Sequence, residues 1–235
     1  MGYQTVFKRY ELKYMLTQEE KAEVLASMEP YMKLDKYGRT TIRNIYFDTD
    51  SYRLIRRSIE KPIYKEKLRI RSYDKATSDS TVFVELKKKY ESVVYKRRIS
   101  LTESDAMRWV RGEIACPRQT QISNEIDYFI DFYGGLSPSL FLSYEREAFF
   151  ERGGGDFRVT FDDSILCRQE DMSLTRDPYG TPILPEGKIL MEIKCSGGIP
   201  MWMAEVLSRC RIYKTSFSKY GTAYQNIIYP KIKRR

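Results

Sequence analysis

The sequence predicts an α+β domain in which a β-sheet curls around a cationic interior and helices pack on the outside. Three observations predict it. Lys65, Lys67, Arg69 and Arg71 occupy every second position of KEKLRIR, and on a strand alternate side chains share one face. The same basic alternation recurs in later segments that carry Val, Ile, Leu or Phe on the opposite face. Between these segments lie stretches of helical period with one apolar side, suited to covering the apolar face of a sheet. A cationic interior of this kind holds a polyanion, and a chain of phosphates suits it best.

Eight segments read as strands from their period-2 pattern and their β-branched and aromatic content: 5–14, 41–48, 63–72, 81–88, 93–101, 139–149, 156–162 and 188–195. Arg158, Thr160 and Asp162 share a face, as do Tyr144 with Arg146, Glu85 with Lys87, Lys96 with Arg98, and Glu192 with Lys194. The first strand sets Arg9, Glu11 and Lys13 against Tyr10, Leu12 and Tyr14. Taken singly, each strand also fits a half-buried sheet with a solvated outer face. Six together favour an enclosed cationic lining. A small closed barrel has room for side chains or one small ligand, so the lining needs an anion or interleaved carboxylates, and Glu11, Glu85, Asp162 and Glu192 supply some.

The helices follow from local signals. Thr17 and Glu20 form a capping box ahead of Ala22, Leu25 and Met28. Thr102 opens a helix to about Arg111, Ile122 to Phe132 forms a third, and Met203, Val206, Leu207 and Cys210 share a side of a fourth. A last helix follows Lys219. Gly153-Gly154-Gly155 reads as a hairpin turn, Ser196-Gly197-Gly198 as a plain turn, and Met172 to Gly187 as a surface loop. No linker or repeat divides the chain, so residues 1–235 are expected to form one domain.

Composition narrows the chemistry. The 235 residues hold 41 Lys and Arg against 32 Asp and Glu, a formal charge of +9, which favours an anionic partner. There is no histidine, which removes histidine triads, histidine metal sites and imidazole acid–base catalysis. A metal would be held by carboxylates, water and substrate oxygens, which suits Mg²⁺ or Mn²⁺. Cys116, Cys167, Cys195 and Cys210 form no C-x-x-C pair and fit a reducing compartment. The expectation is a cytoplasmic protein with no transmembrane segment or signal peptide. The basic tail Lys231, Lys233, Arg234 and Arg235 is either a solvated terminus or a docking element. No aromatic platform of the RNA-binding kind is seen, so no nucleic-acid partner is expected.

Nine motifs in order, KRYELKY, IRNIYFDT, KLRIRSY, VFVELKKK, YKRRI, LSYEREAF, RVTFD, LMEIKCSG and SFSKYGTAY, resemble the VTC domain of polyphosphate polymerases, a branch of the triphosphate tunnel metalloenzymes (the CYTH-like superfamily). The resemblance runs from about Val6 to Tyr229 and implies an eight-stranded antiparallel β-barrel tunnel with helices around the outside. It further implies an ATP-dependent polymerase that adds the γ-phosphate of ATP to a polyphosphate chain, with Mn²⁺ or Mg²⁺ as cofactor. By the same resemblance Lys13, Arg69, Arg71, Lys87, Arg146, Arg158 and Lys219 are catalytic, gripping phosphate oxygens. Lys96, Tyr144, Ser218, Glu11 and Arg9 bind substrate, and Glu192 holds the metal. Arg9 stands where hydrolase relatives carry the first glutamate of E-x-E-x-K, which favours the polymerase branch.

A triphosphatase of the same fold and a non-catalytic polyphosphate or nucleotide sensor stay open as alternatives. Glu11 or Glu85 would then be the candidate base, although Glu85 serves equally well as partner to a tunnel arginine. The regulatory and membrane parts of yeast-type complexes are absent from this sequence, so a membrane or transport partner would be a separate chain.

Overall fold

The computed structural model describes residues 6–91 and 93–233, and for residues 6–9 the backbone only. Nine strands form one antiparallel sheet. β1 (Val6–Leu16), β2 (Met32–Asp48), β3 (Tyr64–Tyr73), β4 (Thr81–Tyr90) and β5 (Val93–Thr102) come first in the chain. β6 (Ser137–Glu151), β7 (Arg158–Arg168), β8 (Thr181–Pro182) and β9 (Ile189–Cys195) follow. The spatial order is β6-β2-β3-β4-β5-β1-β9-β7-β8, and β6 also pairs with β7. β6 therefore has a partner on each edge, Asn44 opposite Leu142 on one and Cys167 opposite Leu142 on the other.

The expected strands all exist, with three differences, the first being that β2 begins at Met32 and not at residue 41. The sheet has nine strands, because Thr181 and Pro182 in the expected surface loop pair with Cys167 and Leu166. That loop also sends Leu174 and Ile183 into the core. In addition β7 runs on past Asp162 through an irregularity at Ser164, whose φ is 49°. A bulge adds one residue and exchanges the faces. Arg158, Thr160 and Asp162 point one way before it, and beyond it Ile165 and Cys167 take the same side.

Helices α1 (Gln18–Met28), α3 (Glu103–Val110), α4 (Gln121–Phe132) and α5 (Met201–Arg209) lie where the caps and periodicities expect them. Thr17 and Glu20 make the reciprocal capping bonds, and Thr102 accepts from the Asp105 N–H. These helices cover the convex face. Ile45, Leu68, Ile70, Val84 and Leu86 pack with Trp109, Val110, Ile126 and Phe129. Leu16, Val159, Phe161 and Ile193 pack with Val24, Met28, Met203 and Val206. Burying each such side chain contributes about 1.5–3 kcal/mol.

The expectation that all helices pack outside is corrected by α2 (Arg53–Ile59) and α6 (Lys219–Ala223). Ile42, Tyr46, Leu140, Leu142 and Leu190 lie on the same strand faces as the charged residues and form a third core with Ile55, Tyr220 and Ala223. Apolar positions on the concave face need a cover, and α2 and α6 provide it. α2 has no polar N-cap residue, since Tyr52 stands there with φ 57°. Asp48 supplies the cap instead: it accepts from the N–H groups of Leu54 (2.9 Å) and Ile55 (3.0 Å), and from the Tyr220 hydroxyl of α6 (3.0 Å). A π-type turn over Tyr224–Ile228 leads from α6 into α7 (Tyr229–Lys233). Of the basic tail, Lys231 and Lys233 lie on α7, and Arg234 and Arg235 lie outside the described residues.

Ile70 is fully buried under α3 and α4. Ile70→Ala is expected to lower unfolding stability by about 2–5 kcal/mol, read as an earlier urea midpoint with unchanged slope.

Candidate functional site

The concave face encloses a cavity of about 1770 Å³ to which every strand except β8 contributes side chains. Among the described residues, fifteen lysines and arginines line it against six aspartates and glutamates. That surplus matches the formal +9 of the whole chain, so the remaining charges nearly cancel and the basic character is internal. The strands deliver it by alternation, as Lys65, Lys67, Arg69 and Arg71 of β3 all line the cavity while Leu68 and Ile70 between them go to the outer core.

Carboxylates behind the lining hold the cations in place. Glu85 is fully buried and receives Arg69 Nη2 at 2.8 Å and Lys96 Nζ at 3.1 Å, with Arg71 Nε at 3.9 Å. Asp162, also fully buried, receives Arg146 through two bonds of 2.6 Å and Lys219 through another of 2.6 Å. Glu11 takes Lys87 at 2.6 Å. Glu192 stands among four cations: Lys219 at 3.2 Å, Lys194 at 3.3 Å, Lys13 at 3.4 Å and Arg146 at 3.7 Å. Neutral groups set the arginine planes. Arg69 donates to the Tyr46 hydroxyl at 3.0 Å, and Arg71 donates to Asn44 Oδ1 and the Tyr144 hydroxyl, both at 3.0 Å.

The charge balance appears in the titrations. Burial alone would raise the pKa of Glu85, but Arg71, Lys96 and Arg69 hold it well below the usual carboxylate range. Burial is likewise outweighed at Glu192, chiefly by Lys219 and Lys13, and at Glu11, which Lys87 draws down to about 2. Lys219 is raised, because Asp162 and Glu192 overcome its burial. Lysines with less compensation go the other way: burial lowers Lys67 and Lys96 to about 7 and Lys194 to about 8.

Of the residues singled out in the sequence, Glu11, Lys13, Arg69, Arg71, Lys87, Lys96, Tyr144, Arg146, Arg158, Glu192, Ser218 and Lys219 line this one cavity. The side chain of Arg9 lies outside the described residues; its backbone pairs with Val94. Glu85, one of the two carboxylates weighed as a base, does not line the cavity and serves as the counter-ion of two arginines and a lysine. Tyr46, Asn44, Asp48 and Lys67 were not among the expected site residues. For Lys67 the signal was present in the KLRIR alternation; for the others it was masked by strand patterning.

No group of three or more carboxylates or cysteines able to hold a metal is found among the described residues. Glu192 is engaged by four basic side chains, so the donor set does not make a resident metal site by itself. A divalent ion fits only with phosphate oxygens completing its ligands, that is, as part of a metal–phosphate substrate.

A model of the VTC domain matches residues 8–228. The chain belongs to the VTC domain family. Vacuolar transporter chaperone complex subunit 4 of Trypanosoma brucei brucei is 23% identical over 270 residues, covering 92% of this chain and 34% of the relative. The chain thus spans about a third of that protein. A solved structure from Bacillus halodurans, provisionally named an adenylate cyclase, superposes with a TM-score of 0.56 at 15% identity, covering 92% of this chain and 96% of the other. A Hippeastrum protein described as having a dominant triphosphatase activity gives a TM-score of 0.49 at 13% identity, over 92% of this chain and 95% of that one. At such identities the Bacillus likeness speaks for the fold alone.

Glu85→Gln would leave three buried cations short of a counter-charge, a change that costs about 3–5 kcal/mol where a buried pair is broken. Added tripolyphosphate should restore much of the lost melting temperature. The lowered carboxylates also fix an acid limit. Unfolded glutamates titrate near about 4.3, so the stability these pairs contribute is full above that pH and is lost as pH falls towards 2. Melting curves at stepped pH check it.

Proposed function

We propose that this VTC domain is an ATP-dependent polyphosphate polymerase that transfers the γ-phosphate of ATP to the end of a phosphate chain. The observation that carries the reading is the single cavity lined by fifteen basic residues, thirteen of them directed there by seven strands and α6. In this reading the ring of pairings from β2 through β5, β1, β9 and β7 back to β6 is the wall of a tunnel. Residues 1–235 act as one unit.

Phosphoryl transfer requires little covalent help from protein; alignment and charge stabilisation do most of the work. Arg69, Arg71, Arg146 and Arg158 offer planar forks to non-bridging oxygens, while Lys13, Lys87, Lys96 and Lys219 act as point charges. Because Glu85 and Asp162 already orient Arg69 and Arg146, little reorganisation is needed as charge moves to the leaving oxygen. The Tyr144 and Ser218 hydroxyls add neutral contacts. An acceptor phosphate is already an anionic nucleophile, so the absence of histidine is no obstacle. A Mg²⁺ or Mn²⁺ carried in with the triphosphate, touching Glu192, would offset charge on the phosphate oxygens. The four free cysteines suit a cytoplasmic setting, and no described helix is long and apolar enough to cross a membrane.

The hydrolase alternative needs a base for water. Glu11, the carboxylate on hand, is held by Lys87 at 2.6 Å and drawn down to about 2, which makes it a poor proton acceptor.

The purified protein with ATP, Mn²⁺ and a short polyphosphate primer should lengthen the primer and release matching ADP, read on gels beside free phosphate. ATP binding without chain growth, with either metal, would refute the polymerase. Arg69→Ala removes a fork and should weaken tripolyphosphate binding about 10- to 100-fold, by analogy with charged hydrogen bonds worth about 1.5–3 kcal/mol. Glu192→Gln frees Lys13 and Lys194 for phosphate while Asp162 keeps Arg146 and Lys219, so binding should hold or tighten while turnover falls. Unchanged turnover in that variant would sink the metal role of Glu192.

A further inference from the structure

Most cations in this cavity are matched to carboxylates; among the described residues Lys65, Lys67 and Lys89 have no ion pair, and of these three Lys67 is the most deeply buried. Glu85 answers Arg69 and Lys96, Asp162 answers Arg146 and Lys219, Glu192 answers Lys13 and Lys194, and Glu11 answers Lys87. Lys67 lies among them, and no carboxylate oxygen of the described residues comes within 4 Å of it. Its Nζ donates to the Ser218 hydroxyl at 3.3 Å and sits 5.8 Å from the centre of the Tyr220 ring. The charges that act on it most strongly are Lys13 on β1, Lys87 on β4, and Lys65 and Arg69 on its own strand, all of them cations. An ammonium so placed, with a hydroxyl and a ring beside it but no carboxylate, gains its counter-charge from an anion that enters the cavity.

We infer that Lys67 is a further phosphate-binding residue and that it gains its proton when the phosphate chain arrives, so that substrate binding is coupled to proton uptake. The inference rests on the reading of the cavity as a phosphate-chain site and adds a proton to its binding equilibrium. Geometry gives the direction. With the cavity empty, four cations and burial oppose a charge on Lys67; with phosphate in place, oxygens beside Nζ reverse the sign of the local field. The ligand-free value of about 7 puts the change within the range in which cells work. A group whose pKa is raised by the ligand favours binding fully below its free value and loses that contribution as pH rises. Affinity should therefore fall about tenfold for each pH unit above 7 until the ligand-bound value is reached. Protons carried by the phosphate chain itself are common to the wild type and its variants, so the difference between them reads the proton of Lys67.

Lys67→Arg keeps a cation that cannot lose its proton, and Lys67→Met removes the charge while preserving an unbranched stem. Tripolyphosphate is titrated into each protein by calorimetry, in buffers of different ionisation enthalpy, at pH 8 and pH 9. The wild type should take up about one proton more than Lys67→Arg at pH 8, and its affinity should fall about tenfold more between the two pH values. Lys67→Met should bind more weakly than Lys67→Arg at both. If Lys67→Arg takes up as many protons as the wild type and shows the same pH slope, the proton coupling is wrong while the phosphate site stands. If the wild type itself fails to bind tripolyphosphate, the cavity reading falls and the role of Lys67 with it.

Discussion

Two fully buried carboxylates, Glu85 and Asp162, make the interior of this protein possible. Fifteen basic side chains facing one cavity repel one another, and without counter-charge the sheet would be pushed open from inside. Placed behind the lining, the two carboxylates neutralise part of that repulsion and fix the arginine planes, while Arg69, Arg71 and Arg146 still line the cavity. The cost of burying each carboxylate is offset by three contacting cations at Glu85 and two at Asp162. The surplus that they leave uncompensated is the part available to a polyanion.

The sheet and the charge depend on each other. Alternation along β3, β4 and β5 sends Leu68, Ile70, Val84, Leu86 and Ile99 to the core under α3 and α4 and most basic residues inward, Arg97 turning outward to Glu125 of α4. A single-residue slip would therefore bury lysines under helices. The concave face is not uniformly charged, however. Where it carries Ile42, Leu140, Leu142 and Leu190, α2 and α6 cover it, and α6 carries Lys219 to Asp162 and Glu192 in the process. An apolar plug thus positions a charged group. Asp48 ties the plug together by capping α2 and accepting from Tyr220 of α6.

Much of this was legible before any coordinates. The KEKLRIR alternation, the VFVELKKK and YKRRI strands and the Thr17 and Thr102 caps follow local rules, and local rules survive folding when burial agrees with them. What escaped the sequence depended on distant partners. α2 has no cap of its own, β8 is two residues long, and the β7 bulge at Ser164 exchanges faces within a run that looks regular. Glu85 illustrates the limit well: base and counter-ion are the same residue on paper, and only the positions of Arg69, Arg71 and Lys96 separate them.

Composition and alternation determined that the chain would build a sheet with a basic face, that histidine chemistry was excluded, and that an anion would be sought. These are properties of residue type and period, fixed by covalent geometry along a single strand. Tertiary structure decided which charges cancel. Lys67 and Lys96 occupy equivalent inward positions on β3 and β5, both in register with Lys87 of β4, yet Lys96 meets Glu85 at 3.1 Å and Lys67 meets no carboxylate of the described residues. Coulomb interactions depend on distance through space, and that distance is set by the pairing of strands far apart in the chain.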